Sequence, residues 1–546
     1  MLYIFISILL LIPALIGVGN WCERCFKISN NSLAIKALLG MSATTLVWTL
    51  FAFFLPINLY AEVIFLIFGF IGFFLMKSHR ELLSFLRQHS FYFGISLVVC
   101  LVVGSFYPFI LDHFGYYIPT INWIKTFGLT KGISNLDIVL GQMSVWHILQ
   151  AGLSSFSDIF FRLNTIVLVI YLIYIFERSA WIHWIFLPFF FLFAQSPSPD
   201  LPTLVISLII LNEVFRQNTN ASSLWLLSAF VFVIKPTMIW VPIFTLLYLF
   251  FKVKVSAKHY VVGCIFILLF ILKNIWCFGY PIFPVQVLDL NLSWKPDPET
   301  LKISSEIAIQ KTYDMQYSME EIRQFSTWDY IINWITLKGI KAFIHIAFIL
   351  SIILLSIITI IRKSSILYFL FFAVVVKSVL VLLFSAQYRF FLDVFFVVAL
   401  VLLHHRCSKT MGISLFASLS IFFIGFLAQP HWVQTYIPSF QLGHFMKGFN
   451  TQQLVKPSHY ILKRYSTHQV GNLKFNVSQD YPFSFDTPMP AITFFALKEY
   501  SETQIFPQKI GKSPKEGFIW KKLNDKELKQ LQRIIKQVQS NSTKSE

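Results

Sequence analysis

The strongest constraint on this chain is a series of apolar runs, each about as long as a membrane-crossing helix, that recurs from residue 2 to residue 428 and then stops. The 546 residues are 56% hydrophobic and include 61 Phe, which is more apolar surface than a soluble core of this size can hide. Because a crossing helix needs roughly 17–25 residues, the runs predict an all-α polytopic membrane protein with about 12–14 transmembrane helices. We place these helices at residues 2–18, 33–56, 59–76, 91–110, 159–177, 181–194, 200–215, 222–234, 236–251, 259–278, 334–360, 365–385, 389–404 and 412–428.

The basic residues are concentrated in short connections between these runs. The formal net charge is +18, a balance that by itself also suits nucleic-acid binding. With the N-terminus outside, however, the most basic loops all fall on the cytoplasmic side, as the positive-inside rule requires. We therefore interpret the charge as a topology signal and expect no nucleic-acid partner. The loops are CERCFK, KSHRELLSFLR, KVKVSAKH, IRKSS and HHRCSK.

Under this topology two long loops of the membrane domain lie outside, at residues 111–158 and 279–333. Within the first, residues 138–156 are too polar for an ordinary crossing and too apolar for a free loop. They predict a helix that lies in or dips into the outer interface, and a full crossing is left open. The second loop begins with Gly and Pro residues, which interrupt helices and strands and so predict a mostly irregular segment.

The tail after the last apolar run is predicted to be a small α+β domain on the extracytoplasmic side. It covers residues 429–546, and the membrane domain covers residues 1–428. The pieces NLKFNVS and AITFFALKEY, separated by DYPFSFDTPMP, indicate strands and turns. The segment NDKELKQLQRIIKQVQ spaces its apolar residues by three and four, which predicts an amphipathic helix. Its basic residues leave two alternatives open, packing on the domain or attraction to acidic lipid headgroups.

One apolar stretch, residues 223–251, contains a Lys-Pro pair. A single crossing here would reverse the side of every later loop, against the charge rule. If the stretch is split at Lys235-Pro236, each half reaches only about 20 Å at 1.5 Å per residue. The break then lies below the outer surface, where bare backbone is tolerated only beside protein or a water-filled cavity. The sequence therefore predicts a cavity that opens to the outer side.

Ionisable and polar residues gather at the predicted outer ends of the helices. A charge at bilayer depth costs on the order of 2.5–3.5 kcal/mol, so several converging charges indicate a site. Each residue alone also has a structural explanation, because Lys and Arg can snorkel to headgroups and Asp can cap a helix. The group consists of Asp112, His113, Asp200, Lys273, Asn274 and Arg389, with Lys235 at the break below them.

These residue types suit group transfer from a lipid phosphate. A carboxylate that faces the cavity can take the proton of an acceptor hydroxyl, while Lys and Arg hold a phosphate. The lipid tail would remain between the helices. Aromatic residues at the same level can stack on a sugar ring, although aromatic residues also form ordinary interfacial belts. These residues are Tyr116, Tyr117, Trp123 and Trp146.

The same stretches carry a resemblance to a family of membrane enzymes. The segment LDHFGYYIPTINWIKTFGLTKG has an Asp just after an early membrane helix, followed by a Tyr and a further helix. It resembles the opening of GT-C-fold membrane glycosyltransferases, which use polyprenyl-phosphate-linked sugars. Other matches follow in order between about residues 90 and 405, and some resemble poorly characterised bacterial inner-membrane proteins of GT-C-like architecture. They are SVWH, SPSPDLP, IKPTMIW, KNIWCFGYPIFP and QYRFFLDVFF.

The resemblance implies a GT-C-like fold, with Asp112 as the catalytic base and Lys235 and Arg389 as contacts to the lipid phosphate. The remaining residues of the group would bind substrate. His113 follows Asp112, so the first outer loop lacks an acidic pair, and the tail lacks a WWDYG-like signature. Both departures disfavour a metal-dependent oligosaccharyltransferase and favour a metal-independent enzyme without a cofactor.

Three functions follow as hypotheses. The first is transfer of one sugar from a polyprenyl-phosphate donor to a lipid or cell-envelope glycan acceptor. The protein would then lie in the bacterial inner membrane, in contact with its lipids. The second is a polymerase or ligase that joins preassembled envelope glycans. The third is a transporter or flippase of a lipid-linked glycan, in which the same charges line a translocation path.

Overall fold

The structure is a computed structural model that describes residues 1–26, 32–404, 406–431, 435, 447–462, 464–479 and 481–542. The first helices are α1 (Leu2–Phe26), α2 (Leu33–Ala52), α3 (Leu59–Leu75), α4 (Ser78–Gly104), α5 (Ile118–Phe127), α6 (Val145–Leu153), α7 (Leu163–Arg178), α8 (Trp181–Phe186) and α9 (Asp200–Phe215). They are followed by α10 (Ala221–Ile234), α11 (Trp240–Tyr248), α12 (Val261–Phe278), α13 (Pro298–Thr312), α14 (Met319–Arg323), α15 (Thr327–Ile335), α16 (Ile340–Arg362), α17 (Ser365–Phe384), α18 (Leu392–Leu403) and α19 (Lys409–Ala428).

The C-terminal part contains two small antiparallel hairpins and two helices. The hairpins pair β1 with β2 and β3 with β4. The elements are β1 (Tyr465–Val470), β2 (Leu473–Ser478), α20 (Phe494–Glu502), β3 (Ile505–Lys509), β4 (Phe518–Lys522) and α21 (Asp525–Ser542). A small α+β region therefore follows the long helices, as predicted. Part of the predicted domain, residues 432–434, 436–446, 463, 480 and 543–546, lies outside the described residues.

Within the described part of the chain, eight helical segments are long and apolar enough to cross a membrane. They are α1, α2, α4, the segment 236–253, α12, α16, α17 and α19. Three shorter apolar segments accompany them, Leu59–Leu75, Trp181–Phe193 and Ala221–Ile234. Every run that the sequence predicted as a membrane helix overlaps a helix, but the run 334–360 contains the end of α15, a break and most of α16, and the run 389–404 begins in a 3-10 turn. The chain is therefore a mostly helical membrane protein.

The first three helices pack so closely that their backbones touch. A Cβ atom on Gly17 of α1 would lie 1.7 Å from the carbonyl oxygen of Gly69 in α3. On the other side of α1, a Cβ on Gly19 would lie 1.9 Å from the carbonyl oxygen of Lys36 in α2. Helices in lipid associate through such close contacts, because burying apolar surface away from hydrocarbon gains nothing. The small residues are thus required by the packing.

We expect Gly17→Ala to destabilise the protein by about 1–3 kcal/mol, because the new methyl group would force α1 and α3 apart. The matched control is Gly94→Ala in α4, where a Cβ meets nothing within 4 Å. Thermal unfolding in detergent micelles compares the two variants. Equal melting temperatures for both variants would contradict this account of the packing.

The first outer loop differs from its prediction, because residues 138–156 are mostly buried inside the protein, although Gln142 and Phe156 are exposed. They form a 3-10 turn, Ile138–Gln142, followed by α6, and every residue of α6 is buried. Nine residues of helix are too short to cross a bilayer. The polar side chains of α6 find partners inside the protein, since Gln150 Nε2 donates to Asp158 Oδ2 at 3.0 Å. The polarity that suggested an interfacial helix is thus satisfied internally.

Two other predictions of local structure were wrong. The loop 279–333 was predicted to be mostly irregular, yet it contains α13, α14 and the start of α15. The stretch AITFFALKEY was predicted as a strand and mostly forms α20. Thr493 caps that helix, and Leu497 and Tyr500 bury one face at a helical spacing, a pattern that the apparent alternation concealed. The amphipathic helix predicted near the C-terminus is confirmed as α21.

The C-terminal region packs on the segment between α5 and the 3-10 turn. Lys515 Nζ donates to the carbonyl oxygen of Leu129 at 2.9 Å. Thr493 Oγ1 donates to Asp137 Oδ2 at 2.7 Å, and the Tyr500 hydroxyl donates to the carbonyl oxygen of Asn135 at 2.8 Å. This contact holds the C-terminal region against the segment that leads into the cavity described next.

Candidate functional site

A cavity of about 250 Å³ lies where α9 begins, where α10 and α12 end, and beside the segment just before α5. Its walls come from segments that are far apart in the sequence, which is typical of a binding site rather than of a local packing defect. The polar residues around it are Asp112, Tyr116, Tyr117, Gln142, Ser144, Asp200, Lys235, Thr237, Asn274 and Arg389. Apolar walls are supplied by Phe270, Phe278, Phe283 and Phe390, among others.

The structure brings most of the predicted site residues to this cavity. Seven line it, namely Asp112, Tyr116, Tyr117, Asp200, Lys235, Asn274 and Arg389. His113, Lys273 and Trp146 do not line it, and neither does Trp123. Two carboxylates, Asp112 and Asp200, and two cations, Lys235 and Arg389, therefore face the same cavity.

Lys235 lies at the cavity because the helix breaks there. Its backbone N–H still donates to the carbonyl oxygen of Val231, but its own backbone is extended, with φ −148° and ψ 100°. Pro236 follows, and a residue before proline is disfavoured in the helical region. A short 3-10 turn, Pro236–Met238, then leads into α11. The predicted interruption at Lys235-Pro236 is thus present and carries the lysine to the cavity wall.

The Lys235 ammonium forms an ion pair with Asp200, the first residue of α9. Ser198 Oγ lies 3.2 Å from Asp200 Oδ2 and donates to it. The Tyr117 hydroxyl in turn lies 3.5 Å from Ser198 Oγ. Both side chains of the ion pair are mostly covered, at 17% exposure for Lys235 and 22% for Asp200. This pair is tightly held by its neighbours.

The second ion pair joins Arg389 to Asp112 across the same cavity. Arg389 Nη1 lies 3.2 Å from Asp112 Oδ2. These side chains are more open, at 38% exposure for Arg389 and 32% for Asp112. Arg389 Nε is buried and has no hydrogen-bond partner among the described residues. The side chain as a whole is partly exposed at the cavity, and a guanidinium in this position is suited to bind an anionic oxygen of a ligand.

The two cations share an aromatic neighbour. Lys235 Nζ lies 5.2 Å from the centroid of the Phe390 ring, and the Arg389 guanidinium carbon lies 5.1 Å from it. Each contact is within cation–π range. Lys235 and Arg389 therefore both contact the Phe390 ring, which places their charges near one another at the cavity wall.

Two tyrosines form another wall. The rings of Tyr116 and Tyr117 meet edge to face, with centroids 4.6 Å apart. They belong to a short π-helical turn, His113–Tyr117, that leads into α5. Such turns often occur at functional sites because they redirect successive side chains. Here the turn carries both rings toward the cavity that Asp112 borders.

The predicted residues that do not reach the cavity have internal partners. Lys273 Nζ donates to the carbonyl oxygen of Met143 at 2.7 Å and lies over the Phe278 ring. Trp146 Nε1 donates to Asn164 Oδ1 at 3.0 Å. His113 and Trp123 are also buried. Their side chains are held by the packing of the fold, and Lys273 supports the cavity wall at Met143.

Sequence reasoning missed a buried charge cluster beneath the cavity. Lys377 Nζ of α17 lies 2.7 Å from Asp393 Oδ1 of α18, and Trp240 Nε1 donates to Asp393 Oδ2 at 2.7 Å. Lys377 also donates to the carbonyl oxygen of Phe390, next to Arg389. A lysine inside the apolar run FFAVVVKSVLVLLF was a usable signal, because an intramembrane charge demands a partner.

No grouping of residues suited to a metal ion occurs in the described ranges, where three or more His, Cys, Asp or Glu side chains never come together. The polar walls of the cavity instead combine carboxylates with Lys, Arg, amide and hydroxyl groups. This arrangement can bind an anionic group and take up a proton.

Fold and site together define a helical membrane protein whose long helices surround a small cavity lined by charged residues. The chain belongs to the family described as "Domain of unknown function (DUF8201)", whose match covers residues 1–396. The matched range includes every residue of the cavity wall. No curated protein and no solved structure matches the chain.

Proposed function

We propose that the protein is a GT-C-like glycosyltransferase that transfers one sugar from a polyprenyl-phosphate donor to a lipid or cell-envelope glycan acceptor. The proposal places the cavity and the C-terminal region on the extracytoplasmic side of the bacterial inner membrane. The observation that supports it is that two ion pairs, Asp112 with Arg389 and Asp200 with Lys235, line the same cavity. Together they supply a base and two phosphate-binding cations.

In the proposed reaction, Asp112 takes the proton of the acceptor hydroxyl. The acceptor oxygen forms a bond to the anomeric carbon of the donor, and the bond from that carbon to the phosphate oxygen breaks. The electron pair leaves with the polyprenyl phosphate, whose added negative charge Arg389 and Lys235 stabilise. Direct displacement inverts the anomeric configuration.

The two carboxylates differ in a way that favours Asp112 as the base. Asp200 is held by Lys235 and Ser198 and is less exposed. Asp112 has one ion-pair contact, at 3.2 Å, and about a third of its side chain is exposed. A donor phosphate that binds Arg389 would weaken this contact and leave Asp112 free to accept a proton. Asp200 would remain paired and keep Lys235 oriented.

The volume of the cavity supports a small transferred group. At about 250 Å³ it is at or below the lower end of the roughly 300–1,000 Å³ range that is usual for small-molecule sites. A single sugar with its phosphate suits this space better than a preassembled glycan does. The polyprenyl chain would remain in the bilayer beside the helices.

The decisive experiment supplies the purified protein, reconstituted in liposomes, with a set of polyprenyl-phosphate monosaccharides and membrane lipid extract. Mass spectrometry of the products is expected to show one acceptor lipid or glycan heavier by a single sugar. Products heavier by several sugars would favour the polymerase or ligase instead. Movement of an unchanged labelled donor across the bilayer without a covalent product would favour the flippase.

A further inference from the structure

Helix α15 presents an apolar face that the described part of the chain leaves uncovered. Trp328 is 71% exposed, Ile331 is 48% exposed and Ile332 is 51% exposed. These positions lie at spacings of three and four residues, so they share one face of the helix. Isolated exposed apolar residues are ordinary, but a contiguous aromatic and aliphatic face indicates a partner.

A neighbouring side of α15 is anchored, so the helix cannot turn to hide this face. Trp334 Nε1 donates to the carbonyl oxygen of Ala386 at 2.9 Å. The Trp334 ring stacks on His345 with centroids 4.0 Å apart, and it meets the Phe391 ring edge to face. Tyr330 is held as well, since its hydroxyl donates to the carbonyl oxygen of Ile322 at 3.2 Å.

The uncovered face continues into a surface that faces lipid. Helix α16 is one of the segments that can cross a membrane, and it begins five residues after α15 ends. Its outward side carries Ile340, Phe343 and Leu350, which are all strongly exposed. A bilayer that α16 crosses from this end would place the adjoining α15 near the level of the lipid headgroups. Gly339, with a φ of 88°, makes the turn between the two helices.

We propose that α15 is an interfacial helix whose face of Trp328, Ile331 and Ile332 is embedded in the boundary between lipid headgroups and acyl chains. A short helix with an apolar aromatic face is suited to this position. The exposed Lys338 follows directly and can meet lipid phosphates. This assignment goes beyond the proposed function and needs only the membrane character of the chain.

The contacts of Trp334 also connect α15 to the cavity. Trp334 contacts Ala386, which lies just before the short turn Tyr388–Phe391, and Phe391, the last residue of that turn, which also carries Arg389. The membrane surface therefore fixes the level of α15, and α15 in turn supports the segment that presents Arg389. The cavity on this side lies close to the headgroup region, where a lipid phosphate would be.

The test places one fluorescent label on α15 in the full chain reconstituted in liposomes. Ile331→Cys and Trp328→Cys are labelled with a polarity-sensitive dye, in a background where the unburied Cys25, Cys264 and Cys407 are replaced by serine. Gln324→Cys is the matched control, because it is an exposed polar position just before the same helix. Two positions are labelled so that one poorly folded variant does not end the test.

We expect a lipid-resident quencher to reduce the signal from positions 331 and 328 several-fold more than the signal from position 324. Aqueous iodide should show the opposite order. Equal iodide access at positions 331 and 324 would overturn the proposal. A second result would also overturn it. If protection of the labels from iodide persists in detergent and depends on protein concentration, and the lipid quencher has no effect, a second copy of the chain covers the face instead of lipid.

Discussion

Asp112→Asn is expected to lower the rate of sugar transfer by about 10²–10⁴-fold, the usual contribution of a general base. The amide has the shape of the carboxylate, and its oxygen can still accept a hydrogen bond from Arg389, which lies 3.2 Å from the native carboxylate. It cannot take up the proton of the acceptor hydroxyl. Initial rates in liposomes, with donor binding measured in parallel, separate loss of the base from loss of substrate affinity.

The control for this variant is Asp289→Asn. Asp289 also pairs with a cation, Lys295, at 2.6 Å, but it does not line the cavity. Its variant should keep the full transfer rate. An unchanged rate in Asp112→Asn would exclude the base role, and inactivity confined to Asp200→Asn would move that role to the second carboxylate. Loss of activity in Asp289→Asn would show that the assay reports folding instead.

Lys377→Met is expected to lower the free energy of unfolding by about 3–5 kcal/mol, the usual cost of breaking a buried ion pair. The side chains of Lys377 and Asp393 are 1% and 5% exposed, so the remaining carboxylate would have no water to solvate it. The same substitution removes the hydrogen bond to the carbonyl oxygen of Phe390. Chemical unfolding in detergent micelles measures the change.

A double variant distinguishes the missing charge from the missing side chain. Lys377→Met combined with Asp393→Asn should recover most of the lost stability, because no uncompensated charge remains. The Asn side-chain oxygen can still accept from Trp240 Nε1, which lies 2.7 Å from the native carboxylate. Wild-type stability in the single variant would contradict the account. So would a double variant no more stable than the single one.

The long helices were predictable because the rule that makes them is local. In hydrocarbon each backbone N–H and C=O must be paired within its own segment, so an apolar run of sufficient length is helical whatever packs around it. The runs from 2–18 to 412–428 therefore overlap helices. The break at Lys235-Pro236 was also predictable, because proline disfavours helix at the preceding residue and the charge of the later loops rules out a single crossing.

The segments between the long helices were predicted less well because their environment is not local. Residues 138–156 were assigned to the interface from their mixed polarity, yet Gln150 is satisfied by Asp158 inside the protein. Stretches such as 298–312 and 494–502 are helices whose apolar faces are defined by the surfaces that they meet. Short runs of this kind fit more than one periodicity.

The amino-acid pattern alone predicts a helical membrane protein in which Asp112, Asp200, Lys235 and Arg389 lie near helix ends, because run length and the cost of buried charge dictate both. The pairing of Asp112 with Arg389 and of Asp200 with Lys235 became visible only in the folded protein. The tertiary structure also turned Lys273 and Trp146 toward internal partners and joined Lys377 to Asp393. The direction of a side chain depends on how helices distant in the sequence pack together, and that packing has no signature within one segment.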